Sequence, residues 1–177
     1  MHFTSFEYKY IRNVLKNICP AWFLVFGVGY DSGLWLKSNL GGETLFLEDN
    51  SQWLSWAQNK YAAINAKQIR YNTKSMEWRS LIDSNALLEI ENLPLSIFDF
   101  AWNCILVDGP DGRFLDSPGR VKSIFLASKL AKTGTHLFIH DCDRELEKHC
   151  CDRFFDAKDL VAEFHRLRHY RVDSSRI

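Results

Sequence analysis

The fold is decided by residues 22–33, which read Trp-Phe-Leu-Val-Phe-Gly-Val-Gly-Tyr-Asp-Ser-Gly. Five apolar residues in a row predict a strand that is covered on both faces, because such a strand has no polar side. The glycines at Gly27 and Gly29 predict a sharp turn, since glycine adopts backbone conformations that other residues avoid. A helix is expected to begin at Ser32. A strand, a turn and a helix in this order indicate a parallel sheet covered by helices.

The same alternation of apolar runs and helical stretches continues along the chain. Further strands are predicted at 44–47, 67–71, 104–107, 136–139 and 167–172. Helices are predicted over 6–18, 32–39, 52–61, 77–90, 119–132, 145–149 and 157–164. The expected architecture is α/β and Rossmann-like, with a mostly parallel sheet and helices on both faces. We find no repeat or long linker, so residues 1–177 are expected to form a single domain, with an N-terminal helical segment at 1–19 and a core at 20–172.

Composition narrows the class of function. Lys and Arg number 22, and Asp and Glu also number 22, so the formal net charge is zero and no basic excess favours nucleic acid as a partner. A small molecule or a saccharide is the expected partner.

The longest apolar stretch, around 21–28, is too short for a membrane span, and no secretory signal is recognised. The five cysteines include no Cys-x-x-Cys pair, which favours free thiols and a cytoplasmic location.

Four of the predicted strands stop directly at polar or turn-forming residues. These ends are Gly27-Val28-Gly29, Glu48-Asp49, Asp108-Gly109-Pro110 and His140-Asp141. Ligands of an open parallel sheet bind in the crevice beyond the carboxyl ends of its strands. The four ends are therefore expected to converge on one site.

The glycine turn and Glu48 together indicate a cofactor that contains a nucleoside. Glu48 lies about 20 residues after the turn, where a carboxylate accepts both hydroxyls of a ribose. The pattern typical of NAD sites would have a third glycine where this chain has Ser32. S-adenosylmethionine (SAM) fits better, because it has a ribose and no pyrophosphate. The alternative is a tight turn that binds no ligand.

The other strand ends carry candidate catalytic groups. Transfer of a methyl group to an alcohol needs a group that accepts the hydroxyl proton or lowers its pKa. Asp108 is the first candidate, followed by His140 and Asp141. Together with Asp143, these carboxylates could hold a divalent metal ion, so Asp108, Asp141 and Asp143 are candidate ligands. The alternative is that Asp141 and Asp143 cap the helix that follows them.

Two arginines follow Asp108 on the same predicted loop. Arg120 is the candidate for gripping a carboxylate of the acceptor through two parallel hydrogen bonds, and Arg113 is a weaker candidate. The alternative for Arg120 is an ion pair at the surface.

Several segments of the chain resemble those of a known family. The segments that carry the resemblance are 26–32, 46–49, 71–74, 107–110, 118–120 and 140–144. They occur in the order seen in the glucuronoxylan 4-O-methyltransferase and irregular-xylem-15-like family. The resemblance implies the fold of class I SAM-dependent methyltransferases, with SAM bound by Gly27, Gly29, Asp31, Ser32, Glu48 and Asp108. It also implies that Asp108 and residues 140–143 face the acceptor, that Arg120 contacts a sugar carboxylate, and that a divalent metal is used.

The expected function is therefore a SAM-dependent O-methyltransferase that acts on a hydroxyl of a carboxylated, glucuronic-acid-like sugar or of a related small acceptor. One alternative is a SAM-using enzyme with other chemistry, either N-methyl transfer or cleavage of another carbon–sulfur bond. A further alternative is a non-catalytic scaffold protein with the same fold. Members of the family carry a Golgi anchor that we do not recognise here, so the Golgi lumen is the alternative to the cytoplasm.

Overall fold

The computed structural model describes residues 3–62 and 64–173. Its strands are β1 (Trp22–Phe26), β2 (Glu43–Glu48), β3 (Asn65–Gln68), β4 (Arg70–Tyr71), β5 (Ile90–Glu91), β6 (Cys104–Val107), β7 (His136–Ile139), β8 (Leu160–Phe164) and β9 (Leu167–Arg171). Its α-helices are α1 (Ser5–Ile18), α2 (Ser32–Ser38), α3 (Ser51–Lys60), α4 (Trp78–Leu81), α5 (Val121–Leu130) and α6 (Glu145–Phe154).

Seven of these strands form one sheet in the order β3-β2-β1-β6-β7-β9-β8. The first five are parallel, β9 is antiparallel to β7, and β8 is antiparallel to β9. In the central register Phe26 lies beside Leu47 and Val107, and Val107 lies beside Ile139. The four polar strand ends therefore leave the sheet along the same edge. The strands β4 and β5 form a separate antiparallel pair.

Alternate residues of the central strands enter two different cores. Phe23 and Val25 of β1 pack on the side of α1, where Ile11 and Leu15 are fully buried. Leu24 and Phe26 pack into the core on the opposite face, to which α5 and α6 contribute. Burial on both faces explains the unbroken apolar runs, and it holds the strand ends in a fixed register.

The predicted helix over 77–90 is wrong for most of its length. The segment consists of a 3₁₀ turn at Ser75–Glu77, the four residues of α4, a second 3₁₀ turn at Asn85–Leu88, and the start of β5. The Ser84 hydroxyl accepts a hydrogen bond from the backbone N–H of Ala86 and so begins a new turn. Local bonding of this kind competes with the helix.

The predicted helix over 157–164 is also wrong. A 3₁₀ turn covers Ala157–Asp159, and Leu160–Phe164 is β8, which pairs with β9. The residues of β8 alternate between half-buried and exposed, which is the period of a strand.

The predicted strand over 67–71 is divided between β3 and β4. None of the described helices combines the length and the apolar character that crossing a bilayer requires.

Candidate active site

The four polar strand ends surround a cavity of about 430 Å³. Its walls are formed by Phe3, Gly27, Val28, Gly29, Tyr30, Asp31, Glu48, Asp49, Asn50, Trp53, Asp108, Gly109, Pro110, Asp111, Arg113, Arg120, Asp141 and Arg144. Five of these residues belong to the predicted cofactor set, namely Gly27, Gly29, Asp31, Glu48 and Asp108. Three predicted site residues do not line the cavity: Ser32, His140 and Asp143.

Gly27 lets the ends of two neighbouring strands approach each other. Its φ is +104°, and a Cβ on it would lie 3.2 Å from the backbone N of Gly109. A Cβ on Gly109 would in turn lie 2.8 Å from the Cα of Gly27. The missing side chain of Gly27 therefore makes room for the backbone that follows Asp108, and the turn still lines the cavity.

Ser32 stabilises the glycine turn from below. It is buried, and its Oγ accepts a hydrogen bond from the Gly29 N–H at 3.0 Å. The expectation that Ser32 contacts the cofactor is corrected, because its hydroxyl serves the turn itself. Asp31 does line the cavity, where its carboxylate accepts from Trp35 Nε1 at 3.2 Å and contacts the Tyr8 hydroxyl. Burial and the charge of Asp108 raise the pKa of Asp31.

Glu48 is held by two backbone donors at the end of β2. Its Oε2 accepts from the N–H of Val28 at 2.6 Å, and its Oε1 accepts from the N–H of Asn50 at 2.7 Å. The carboxyl group of Glu48 also shares a hydrogen bond with the neighbouring carboxyl group of Asp49, and its remaining lone pairs can accept further hydrogen bonds. Burial raises the pKa of Glu48 to about 7, although the N–H donors of Asn50 and Val28 oppose this effect.

Asp108 is paired with a histidine and an arginine. Its Oδ1 lies 2.9 Å from His140 Nδ1 and 3.3 Å from Arg120 Nη2. Burial disfavours the charged carboxylate, but the hydrogen bond from His140 and the charge of Arg120 outweigh burial and lower the pKa of Asp108. The carboxylate of Asp108 is therefore ionised at neutral pH.

His140 lies behind Asp108 and is fully buried. The ring of Phe3 covers it at a centroid distance of 3.9 Å, and its Nε2 is 3.9 Å from Glu7 Oε2. This Nε2 makes no hydrogen bond to any residue that the structure describes. His140 therefore contacts Asp108 and is not part of the cavity wall, so the expectation that it faces the acceptor stays a prediction that this structure does not support.

Arg120 is also a buried residue, with 5% of its surface exposed. Its Nε donates to the carbonyl of Pro110, its Nη1 to the carbonyl of His140, and its Nη2 to the carbonyl of Asp108. The guanidinium also pairs with the carboxylates of Asp108 and Asp141. These contacts use most of the donors of Arg120 to join two strand ends, although Arg120 also lines the cavity. Contact of Arg120 with an acceptor carboxylate stays a prediction.

Asp141 accepts from three guanidiniums, those of Arg120 at 2.9 Å, Arg144 at 2.7 Å and Arg166. Asp143 is half-exposed and pairs with Nε of the same Arg166 at 3.0 Å, so it joins these groups only through Arg166, and it does not line the cavity.

Only part of the predicted metal-ligand set comes together. One ligand atom each from Asp108, His140 and Asp141 lie within 4.8 Å of one another. The guanidinium charge around Asp141 opposes a cation at this position. A metal ion held by Asp108, Asp141 and Asp143 stays a prediction from the sequence, and the structure groups His140 rather than Asp143 with the other two residues.

Sequence reasoning missed the contribution of α1 to the site. Phe3 lines the cavity, Glu7 faces His140, and Tyr8 contacts Asp31. Thr4 and Glu7 form a capping box, which is a local signal for the start of α1. No local signal indicates that this helix end lies against strand ends more than 100 residues away.

The fold is similar to that of solved methyltransferases at low sequence identity. A Staphylococcus aureus protein named as a caffeoyl-CoA O-methyltransferase is 9% identical, with a TM-score of 0.59 over 97% of this chain and 86% of that one. A methyltransferase-like protein from Silicibacter pomeroyi is 16% identical, with a TM-score of 0.51 over 98% of this chain and 88% of that one. The chain therefore has the class I methyltransferase fold that its sequence predicts.

The relatives found by sequence identify a family, whereas the solved structures identify only the fold. Arabinogalactan O-methyltransferase 1 of Arabidopsis thaliana is 33% identical over 90% of this chain and 63% of its own length. Glucuronoxylan 4-O-methyltransferase 2 of the same plant is 30% identical over 96% of this chain and 66% of its own length. The chain thus spans a little less than two thirds of these relatives. The family model for IRX15/IRX15L/GXM matches residues 6–86 and 82–170, and the chain belongs to this family.

Proposed function

We propose that the protein is a SAM-dependent O-methyltransferase that methylates a hydroxyl of a carboxylated saccharide. The observation that carries the proposal is the position of Glu48 and Asp108 on the wall of one cavity, with the glycine turn between them. The names of the relatives, which are O-methyltransferases of arabinogalactan and glucuronoxylan, support the saccharide.

The cavity fits a cofactor with a positive charge. Its wall includes the carboxyl groups of Asp31, Glu48, Asp49, Asp108 and Asp111, and its volume of about 430 Å³ is within the usual range for small-molecule sites. The lone pairs that Glu48 keeps can accept hydrogen bonds from two ribose hydroxyls. When bound, SAM supplies a methyl group on a positively charged sulfur, which an oxygen nucleophile attacks.

Asp108 is the group that accepts the proton of the acceptor hydroxyl. It is ionised at neutral pH, and it is held in place from behind by His140 and from the side by Arg120. A carboxylate with a low pKa takes this proton only as the new carbon–oxygen bond forms, when the hydroxyl becomes acidic. His140 and Arg120 are positioning residues in this scheme, because His140 is fully buried and both side chains bind Asp108.

Binding of S-adenosylhomocysteine to Glu48→Ala tests the cofactor site. We expect a dissociation constant in the micromolar range for the wild type, or roughly −8 kcal/mol, and a loss of about tenfold or more in the variant. Glu43→Ala is the matched control, because Glu43 is an exposed glutamate at the other end of the same strand. Equal affinity of Glu48→Ala and the wild type in calorimetry would refute the ribose assignment.

Turnover of Asp108→Asn tests the base. The variant keeps the shape of the carboxylate but cannot accept the proton, so we expect methyl transfer to fall by about 100-fold or more while cofactor affinity stays within a few-fold. The assay follows methyl transfer to an oligosaccharide that carries glucuronic acid. Wild-type turnover in this variant would exclude Asp108 as the base. Cofactor binding by the wild type without any transfer would favour the non-catalytic alternative.

A further inference from the structure

Three guanidiniums line the cavity, and they differ in how many of their N–H groups already form hydrogen bonds within the protein. Arg120 is buried and uses its donors on carbonyls and carboxylates of the strand ends. Arg144 uses both terminal nitrogens, Nη2 on Asp141 and Nη1 on Glu147. The side chain of Arg113 is 54% exposed and forms an ion pair with Asp111.

The pair of Arg113 and Asp111 leaves one side of the guanidinium open. Asp111 Oδ1 accepts from the backbone N–H of Arg113 at 2.9 Å and from its Nε at 3.0 Å, and Oδ2 accepts from Nη2 at 2.9 Å. These bonds occupy the edge formed by Nε and Nη2. In residues 3–62 and 64–173 nothing accepts a hydrogen bond from Nη1 of Arg113, so the edge formed by Nη1 and Nη2 is available.

We propose that this available edge of Arg113 is the subsite for the carboxylate of the acceptor, a hexuronic acid. A guanidinium edge matches a carboxylate through two parallel N–H···O bonds. Asp111 orients the guanidinium before the acceptor arrives, which lowers the conformational entropy lost on binding. The inference rests on the proposed function, and it assigns to Arg113 the role for which the sequence analysis favoured Arg120.

The position of Arg113 on the chain suits this role. It follows Asp108 by five residues on the same loop, and both residues line the cavity. In a hexuronic acid the carboxyl group and the 4-hydroxyl stand on adjacent ring carbons. A residue that fixes the carboxylate therefore also fixes that hydroxyl relative to the base.

The charges around Arg113 are mixed, which favours a directional contact over simple attraction. Asp111 and Asp141 are the carboxylates that act on its charge, and Arg144 acts on Asp111 from α6. The cavity wall has more carboxyl groups than guanidiniums, so an anion gains nothing from the overall charge of the wall. The fork geometry of Arg113 is what distinguishes a carboxylate from a neutral hydroxymethyl group.

The test compares two acceptors on four proteins. One acceptor is a xylo-oligosaccharide with a single glucuronic acid, and the other is the same molecule with its carboxyl group reduced to an alcohol. The proteins are the wild type, Arg113→Gln, Arg113→Lys and the control Arg79→Gln, whose arginine pairs with Glu145 at the exposed surface. The measured quantity is the ratio of kcat/KM for the acid to kcat/KM for the alcohol.

We expect the wild type and Arg79→Gln to prefer the acid by roughly 10- to 100-fold, and Arg113→Gln to lose this preference. Arg113→Lys should keep only part of it, because an ammonium keeps the charge but not the fork. An unchanged ratio in Arg113→Gln would overturn the inference while the proposed function stands. If the wild type binds S-adenosylhomocysteine but methylates neither acceptor, the proposed function fails together with the inference.

Discussion

Replacement of Arg120 by methionine separates a structural role from a role in acceptor binding. Methionine keeps much of the volume but removes the donors to Pro110, His140 and Asp108. It also leaves Asp141 buried with one guanidinium fewer. Removal of one partner from a buried ion pair costs about 3–5 kcal/mol. Because Arg144 and Arg166 still pair with Asp141, we expect the lower end of this range.

A loss of about 3 kcal/mol lowers Tm by about 6–12 °C in a domain of this size. The assay is thermal unfolding in parallel with urea unfolding, and the control is Arg79→Met, which removes an exposed ion pair and should change stability by less than about 1 kcal/mol. A Tm for Arg120→Met within a degree or two of the wild type would refute our argument. In that case, weaker acceptor binding by the variant would restore the role that the sequence suggested for Arg120.

Three further predictions follow from the geometry of the cavity and the core. Because the pKa of Glu48 is about 7 and its ionised form accepts the ribose hydroxyls, calorimetry should find S-adenosylhomocysteine bound about tenfold more weakly at pH 6 than at pH 8. A flat wild-type profile would contradict this. Glu48→Gln should reduce the dependence to the part that the neighbouring carboxyl group of Asp49 contributes. Gly27→Ala should lower the free energy of unfolding by about 1–3 kcal/mol, measured by urea unfolding. Gly41→Ala is the control, because the φ of Gly41 is also positive but a Cβ there would meet nothing within 4 Å, and it should cost less. Equal losses in the two variants would exclude the close backbone contact as the cause. Of the five thiols, only the partly exposed Cys19 should react rapidly with a chromogenic disulfide, since the other four are buried, and a second fast thiol in the native protein would disagree with this burial.

The central strands could be predicted from the sequence because their burial leaves an unbroken apolar run. Predicted and observed bounds agree for 22–26, 104–107 and 136–139. β8 was missed for the opposite reason. It lies at the sheet edge, and its residues are at most partly buried. The predicted window of eight residues that contains it is compatible with a helix as well.

In the candidate site, too, the residues next to buried central strands could be predicted, and the contacts between distant segments could not. Glu48 and Asp108 could be predicted because each directly follows a buried strand, and the topology then brings them to one edge. The burial of His140 and Arg120 could not be predicted, because it depends on chain segments far away in sequence. Glu7, which faces His140, is 133 positions earlier, and no spacing rule connects the two residues.

The first turn of α1 has a consequence for how the site can be observed. Glu7 accepts hydrogen bonds from Thr4 and at the same time lies over the imidazole of His140. The imidazole is fully buried, and the amides of Thr4, Glu7 and Tyr8 are hydrogen-bonded within this turn. Local unfolding of the turn frees these three amides, so their deuterium uptake measures how often the turn beside the imidazole opens. The contact of Tyr8 with Asp31 connects the first turn of α1 to the wall of the cavity. A molecule that binds in the cavity should therefore slow the exchange of these amides, and mass spectrometry can detect its binding without any methyl transfer.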